Sequence, residues 1–288
     1  MSTHVLTLLH QRMPELTPTE RRVAETVLAD PSVVQASTIT QLAAACDASP
    51  ATIGRLARAL GFEGYPEFRV AVAADSGRDE VGRARFQISE SDVSPDDDVA
   101  TTISKIAYHE AATIEQTARD LDADVLEQVV DRVASARRID IYGFASSGLA
   151  GQDLQQKLHR VGLFAQSWSD QHLALTSASI LGPDDVAIAF SHSGRTLEIV
   201  QAIEVAAATG ATTVAVTNSP TSPLAGAAGL VLTTSANDSR FRSGAMSSRI
   251  AQLAVIDFLF VRVAQRGYDA VAENLRLSYE AVKTHRIE

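Results

Sequence analysis

From residue 138 to residue 264 the sequence alternates short apolar runs with stretches of helical spacing. The runs are Ile139–Phe144, Leu163–Trp168, Val186–Phe190, Thr213–Thr217 and Leu230–Leu232, each bounded by turn residues. Helical patterns follow them over Leu149–Val161, His172–Ile180, Leu197–Thr209, a short piece around Pro223-Leu224-Ala225, and Ala245–Ala264. A strand covered on both faces reads as an unbroken apolar run, whereas a half-buried strand alternates. Repeated strand–helix units predict a five-stranded parallel, doubly wound α/β sheet. With the flavodoxin-like strand order 2-1-3-4-5, the first and third strands are neighbours where the winding reverses. A crevice for ligands opens there, beyond the carboxyl ends of the strands.

Both strands that flank that crevice are followed by hydroxyl-rich loops. The third run leads into Ser191-His192-Ser193-Gly194-Arg195-Thr196 and then a helix, and the first leads into Ala145-Ser146-Ser147-Gly148. A loop that opens a helix offers free backbone N–H groups and the positive end of a dipole. Gly194 permits positive φ or close approach to a ligand, and the serine and threonine hydroxyls add donors. Such a loop holds a phosphate without needing a cationic side chain. Among the neighbours, His192 reads as a pocket-edge residue or a catalytic base, and His172 as a helix-start residue or a ligand. Arg195 reads as a solvated helix-start residue or a phosphate neutraliser. Arg242 and Arg249 stand near the last helix, as site residues or as parts of an intersubunit ion pair.

The first 75 residues carry different signals. Thr17-Pro18-Thr19-Glu20 and Thr38-Ile39-Thr40-Gln41 are capping boxes, and Ser49-Pro50 opens a third helix that Gly61 ends. Two short helices joined by the tight turn Asp47-Ala48 form a helix-turn-helix arrangement. Leu42, Cys46, Ala48, Ile53 and Leu56 fall where the pair packs. Cys46 reads as a small core hydrophobe rather than a sensor thiol. The expected exposed set on the third helix is Ser49, Pro50, Ala51, Thr52, Arg55 and Arg58, with Thr38 and Thr40 at the start of the helix before it. Such residues reach phosphates and base edges in a major groove, Arg55 as a candidate for bidentate guanine readout. Spacing alone also fits a small helical bundle with no nucleic-acid role. Charge does not separate the two, since residues 1–75 hold six arginines against eight acidic residues, a balance of −2.

Organisation follows from these patterns. Residues 1–77 form the helix-turn-helix domain, 78–98 a polar linker partly ordered around Phe86 and Ile88, and 99–123 a connecting helix. Residues 124–268 form the α/β domain, and 269–288 a C-terminal tail or helix. A net charge of −10 means that any attraction for nucleic acid is local. The single cysteine excludes an intrachain disulfide and a cysteine metal cluster, and suits a reducing cytoplasm. No metal or cofactor is expected. The start of the chain lacks the pattern of a signal peptide, and no apolar run approaches a membrane span.

Two resemblances sharpen this reading. Leu16-Thr17-Pro18-Thr19-Glu20-Arg21-Arg22-Val23-Ala24, Ala48–Leu56 and Leu60–Phe68 resemble the N-terminal domain of RpiR-type bacterial transcription regulators. Gly143–Ser147, Ser191–Thr196, Thr217–Ala225 and Ser247–Leu253 resemble the SIS (sugar isomerase) phosphosugar-binding domain. The first resemblance implies a double-stranded DNA operator as partner. The second implies that Ser146, Ser147, Ser191, Ser193 and Thr196, with Gly194, bind a phosphorylated sugar. Together they imply a homodimer or homotetramer in which the effector controls DNA affinity. The alternative is an aldose–ketose phosphosugar isomerase. That reaction needs a general base suited to proton transfer, and the sequence marks none, so no catalytic residue is assigned.

Overall fold

A computed structural model describes residues 5–90, 92–236 and 246–283. The chain divides into two compact units, one within residues 1–116 and the other within 117–288.

The first unit is all-helical. It contains α1 (Val5–Arg12), a 3-10 turn (Met13–Glu15), α2 (Pro18–Ala29), α3 (Ser32–Ala36), α4 (Ile39–Ala45), α5 (Pro50–Ala59) and α6 (Tyr65–Arg85). It ends within α7 (Val99–Asp120). Both capping boxes form, Thr17 with Glu20 and Thr38 with Gln41. Val5, Leu9, Val23, Val27, Leu42, Ile53, Leu56, Phe68 and Val72 share one core. The Tyr65 hydroxyl donates to the Val34 and Ser37 carbonyls, at 3.2 and 2.8 Å, and so ties the start of α6 to α3.

The polar connector differs from expectation. Helix α6 continues unbroken through Gly77 and Gly82 to Arg85, so the stretch from residue 78 begins as helix rather than linker. Tertiary contacts override the weak helix propensity of those glycines. The Tyr108 hydroxyl on α7 bonds Asp79 on α6. The Phe86 and Tyr108 rings meet edge to face at 5.9 Å. Beyond the helix, Ile88 is buried, and Lys105 Nζ donates to both Asp97 carboxylate oxygens at 2.8 Å.

The second unit contains α8 (Ala123–Ser135), β1 (Arg138–Gly143), α9 (Ala145–Arg160), β2 (Ala165–Trp168), α10 (Gln171–Ala178) and β3 (Asp185–Phe190). It continues with α11 (Leu197–Ala208), β4 (Thr212–Thr217), α12 (Pro223–Ala227), β5 (Leu230–Thr233), α13 (Met246–Arg266) and α14 (Tyr268–Lys283). The sheet is parallel in the order β2-β1-β3-β4-β5, as the pattern of runs predicts. Each strand divides its side chains between two cores. Ile139, Ile141, Val186, Ile188, Phe190, Val214 and Val216 pack with α8, α9 and α13. Tyr142, Ala187, Ala189 and Ala215 pack with α10, α11 and α12. Alanines on that second face let the helices lie close to the sheet.

Candidate functional site

The α/β unit places the two hydroxyl loops side by side. Strands β1 and β3 are paired in register, and the last pair is Gly143 with Phe190. The next residues on each strand are the two loops, so Ser146-Ser147 and Ser191–Thr196 leave from adjacent strand ends.

The first loop is barely a loop, because α9 begins two residues after β1. Phe144 is its N-cap and supplies no capping hydrogen bond, and Ala145 takes φ 50°. The first intrahelical bond runs from the Gly148 amide to the Phe144 carbonyl, at 3.2 Å. The amides before it therefore lack an intrahelical acceptor. A Cβ on Gly143 would lie 2.6 Å from the Ser147 carbonyl oxygen, so only glycine lets the strand end and the first helical turn approach this closely. Ser146 Oγ is buried and has no hydrogen-bond partner among the described residues. Ser147 Oγ accepts from Gln252 Nε2 on α13 at 3.1 Å.

The second loop is clamped to its neighbour. The Ser191 amide donates to the Val216 carbonyl at 3.1 Å, which carries the β3–β4 ladder one residue past the strand. The His192 carbonyl accepts from the Asn218 amide at 3.0 Å and from Thr217 Oγ1 at 3.2 Å. Ser191, 4 % exposed, lies with its Oγ 3.2 Å from Thr196 Oγ1. Gly194 takes φ 63°, and a Cβ there would stand 2.0 Å from Ser222 Oγ. Its carbonyl accepts from the Leu224 amide at 3.0 Å. Thr196 is the N-cap of α11 but caps no amide with its side chain, and its carbonyl takes the Ile199 and Val200 amides at 3.1 Å, so only the Leu197 and Glu198 amides are free of intrahelical acceptors.

Ser193 and Arg195 are exposed, and Ser193 Oγ accepts from the Arg195 amide at 3.3 Å. His172 lies in the first turn of α10 and is exposed. Arg242 lies outside the described residues. Among the described residues no group of three His, Cys, Asp or Glu side chains is arranged to hold a metal. No described helix is long and apolar enough to cross a membrane.

In the helical unit, α4 and α5 pack through Leu42, Ala43, Cys46, Ile53, Leu56 and Ala57, all buried. Asp47 makes the turn at φ 48°, and its carbonyl accepts from Arg22 Nη2 at 2.9 Å. Ser49 caps α5 by accepting from the Thr52 amide at 3.2 Å. Ser49, Pro50, Ala51, Arg55 and Arg58 are exposed, as are Thr38 and Thr40. Thr52 is a correction. It is 5 % exposed, in the first turn of α5, with its hydroxyl between Ser49 Oγ at 3.0 Å and Arg55 Nη2 at 3.1 Å. Its hydroxyl accepts from the Arg55 guanidinium and is buried, not part of the exposed set.

The residues alone gave Thr217, Asn218 and Gln252 no individual part in the site, although each bonds one of the two loops, and Ser222-Pro223 read simply as a helix start, which Ser222 is as the N-cap of α12. The signal for the first two was a hydroxyl-amide pair at the C-terminal end of the strand beside β3. Gln252 falls within the Ser247–Leu253 stretch, but nothing in its sequence neighbourhood sets it apart from Ser247 and Ser248, the other buried polar residues of α13.

The comparisons with known proteins agree with this fold and domain order. Residues 3–78 match the helix-turn-helix domain of the rpiR family, and residues 132–262 match the SIS domain. An uncharacterized HTH-type transcriptional regulator of Caldanaerobacter subterraneus subsp. tengcongensis is 38% identical over 285 residues, 99% of each chain. The HTH-type transcriptional regulator YbbH of Bacillus subtilis is 31% identical over 289 residues, the full length of both. Among solved structures, the Vibrio vulnificus NanR protein complexed with ManNAc-6P has 28% identity and a TM-score of 0.62, covering 99% of this chain and 100% of that one. The two sequence relatives are described as transcriptional regulators rather than enzymes. With the helix-turn-helix head, the 2-1-3-4-5 sheet and the full-length matches together, the chain belongs to the RpiR family of transcriptional regulators, built from a helix-turn-helix domain and a SIS domain.

Proposed function

We propose that this regulator binds an operator through its helical unit and that a sugar phosphate in the α/β unit sets its affinity for that DNA. The carrying observation is the Gly143–Phe190 pair, which starts both serine loops from adjacent strand ends. Two helix N-termini without capping side chains, with Ser146, Ser147, Ser191, Ser193 and Thr196 around them and Gly194 shaping the turn, make an anion cradle. The likeness to NanR, a structure containing ManNAc-6P, supports a phosphorylated amino sugar as the first effector to test. Within residues 1–77, the duplex-facing set is Thr38, Thr40, Ser49, Pro50, Ala51, Arg55 and Arg58, with Thr52 behind it. The protein acts as a homodimer or homotetramer, since a helix-turn-helix reads two half-sites about one helical turn, or a multiple of it, apart. The effector then needs a coupling of only about 1–3 kcal/mol to change operator affinity severalfold or more.

A thermal-shift screen against sugar phosphates tests the reading. A true effector at 100 times its Kd stabilises the protein by about 2.7 kcal/mol, and Ser146→Ala or Ser193→Ala removes most of that gain. A panel in which no sugar phosphate raises Tm, or a hit indifferent to both substitutions, contradicts it.

A further inference from the structure

We propose that Gln252 is a positioning residue of the anion site, which turns the Ser147 hydroxyl so that its proton faces the bound phosphate. The inference rests on the reading above that Ser147 belongs to the cradle.

Gln252 is 2 % exposed, and its Nε2 stands 3.1 Å from Ser147 Oγ. It is fixed there by the helix pair around it. Val255, Ile256 and Leu259 on α13 share a core with Leu154 and Leu158 on α9. An amide nitrogen only donates, so the serine oxygen is the acceptor in this bond. A hydroxyl has one proton and two acceptor sites. With one acceptor site taken, the proton remains to be given to something else.

That direction matters at this place. A serine in the first turn of a helix readily turns its hydroxyl back to nearby backbone groups. A phosphate is an acceptor, and a hydroxyl serves it only when the proton points outward. Gln252 therefore selects the useful rotor before the ligand arrives. Ser146 beside it has a buried Oγ with no partner among the described residues, so the same turn holds one hydroxyl oriented by Gln252 and one available to the ligand.

The test is a double-substitution cycle on the full chain, with inorganic phosphate as the probe and calorimetric titration as the readout. Ser147→Ala should weaken phosphate about tenfold, the scale of one hydrogen bond to a charged group. Gln252→Met keeps the side-chain length and removes the donor, and it should weaken phosphate about fivefold. In the Ser147→Ala background Gln252→Met should cost nothing more, because its effect passes through that hydroxyl. Gln252→Leu repeats the cycle should the methionine variant not fold. Parent-like binding by the Gln252 variants, or a penalty that adds in full to that of Ser147→Ala, overturns the inference and leaves the cradle standing. Parent-like binding by Ser147→Ala itself removes Ser147 from the cradle, and the inference falls with it.

Discussion

Gly194→Ala tests the architecture of the second loop at its tightest point. At φ 63° an L-residue with a Cβ pays about 1–2 kcal/mol for the left-handed conformation. The added Cβ would also lie 2.5 Å from Ser222 Cβ and 2.0 Å from Ser222 Oγ, distances no packing tolerates. Ser222 must move, and it is the N-cap of α12, bonded to the Ala225 amide at 3.3 Å. Losing a serine cap costs about 1 kcal/mol. Displacing the loop further threatens the Leu224 amide bond to the Gly194 carbonyl, worth about 1 kcal/mol. The sum is about 3–4 kcal/mol, a Tm fall of roughly 6–16 °C for a domain of this size. Differential scanning calorimetry measures it. Adding Ser222→Gly removes the two closest of the three clashing atoms, leaving Thr217 Oγ1 at 2.9 Å, and should recover part of the loss, but not the conformational cost at residue 194. A Gly194→Ala protein melting within about 2 °C of the parent would refute the reasoning.

Three further outcomes follow from other parts of the structure. Arg55→Ala should weaken operator binding about tenfold or more and relax sequence preference, since a bidentate base contact is worth about 1–3 kcal/mol; anisotropy at matched salt on promoter and scrambled DNA reads both effects. Gly54→Ala should raise stability by about 0.5–1 kcal/mol, because it lies inside α5 with only Arg58 Nη2 near a new Cβ, at 3.8 Å, and urea unfolding detects the gain. Burial, with the Asp140 carboxylate beside it, holds the Tyr142 phenol well above its usual range. The folded state thus keeps a proton that the unfolded chain loses near pH 10, so stability declines above that pH; Tyr142→Phe should flatten the decline in urea midpoints between about pH 9 and 11.

Much of the α/β unit was legible because its signals are local. Strands such as Val186–Phe190 are short apolar runs, Asp170 caps α10, and Ser222-Pro223 caps α12 as its residues suggest. The adjacency of the serine loops follows once the strand order is known. The helix-turn-helix pair was legible through its caps. What escaped depends on contacts distant in sequence. Helix α6 survives two glycines and a run of charges because its first half packs Phe68 and Val72 into the core and its second half meets Tyr108. Thr52 looks like a surface residue until Arg55 and Ser49 are seen to close over its hydroxyl. Gln252 is one glutamine in a helix that otherwise packs on the sheet, and only the fold reveals that it faces Ser147.

Linkage between effector and DNA is the claim on which the account turns, and equilibrium binding measures it. Labelled duplex from the upstream promoter region is titrated with the full-length protein, with and without a saturating sugar phosphate identified by its thermal shift. Operator affinity should change by about 5-fold to 150-fold, in either direction, and the change should disappear in Ser193→Ala. Identical affinities with the effector bound and absent would contradict the linkage.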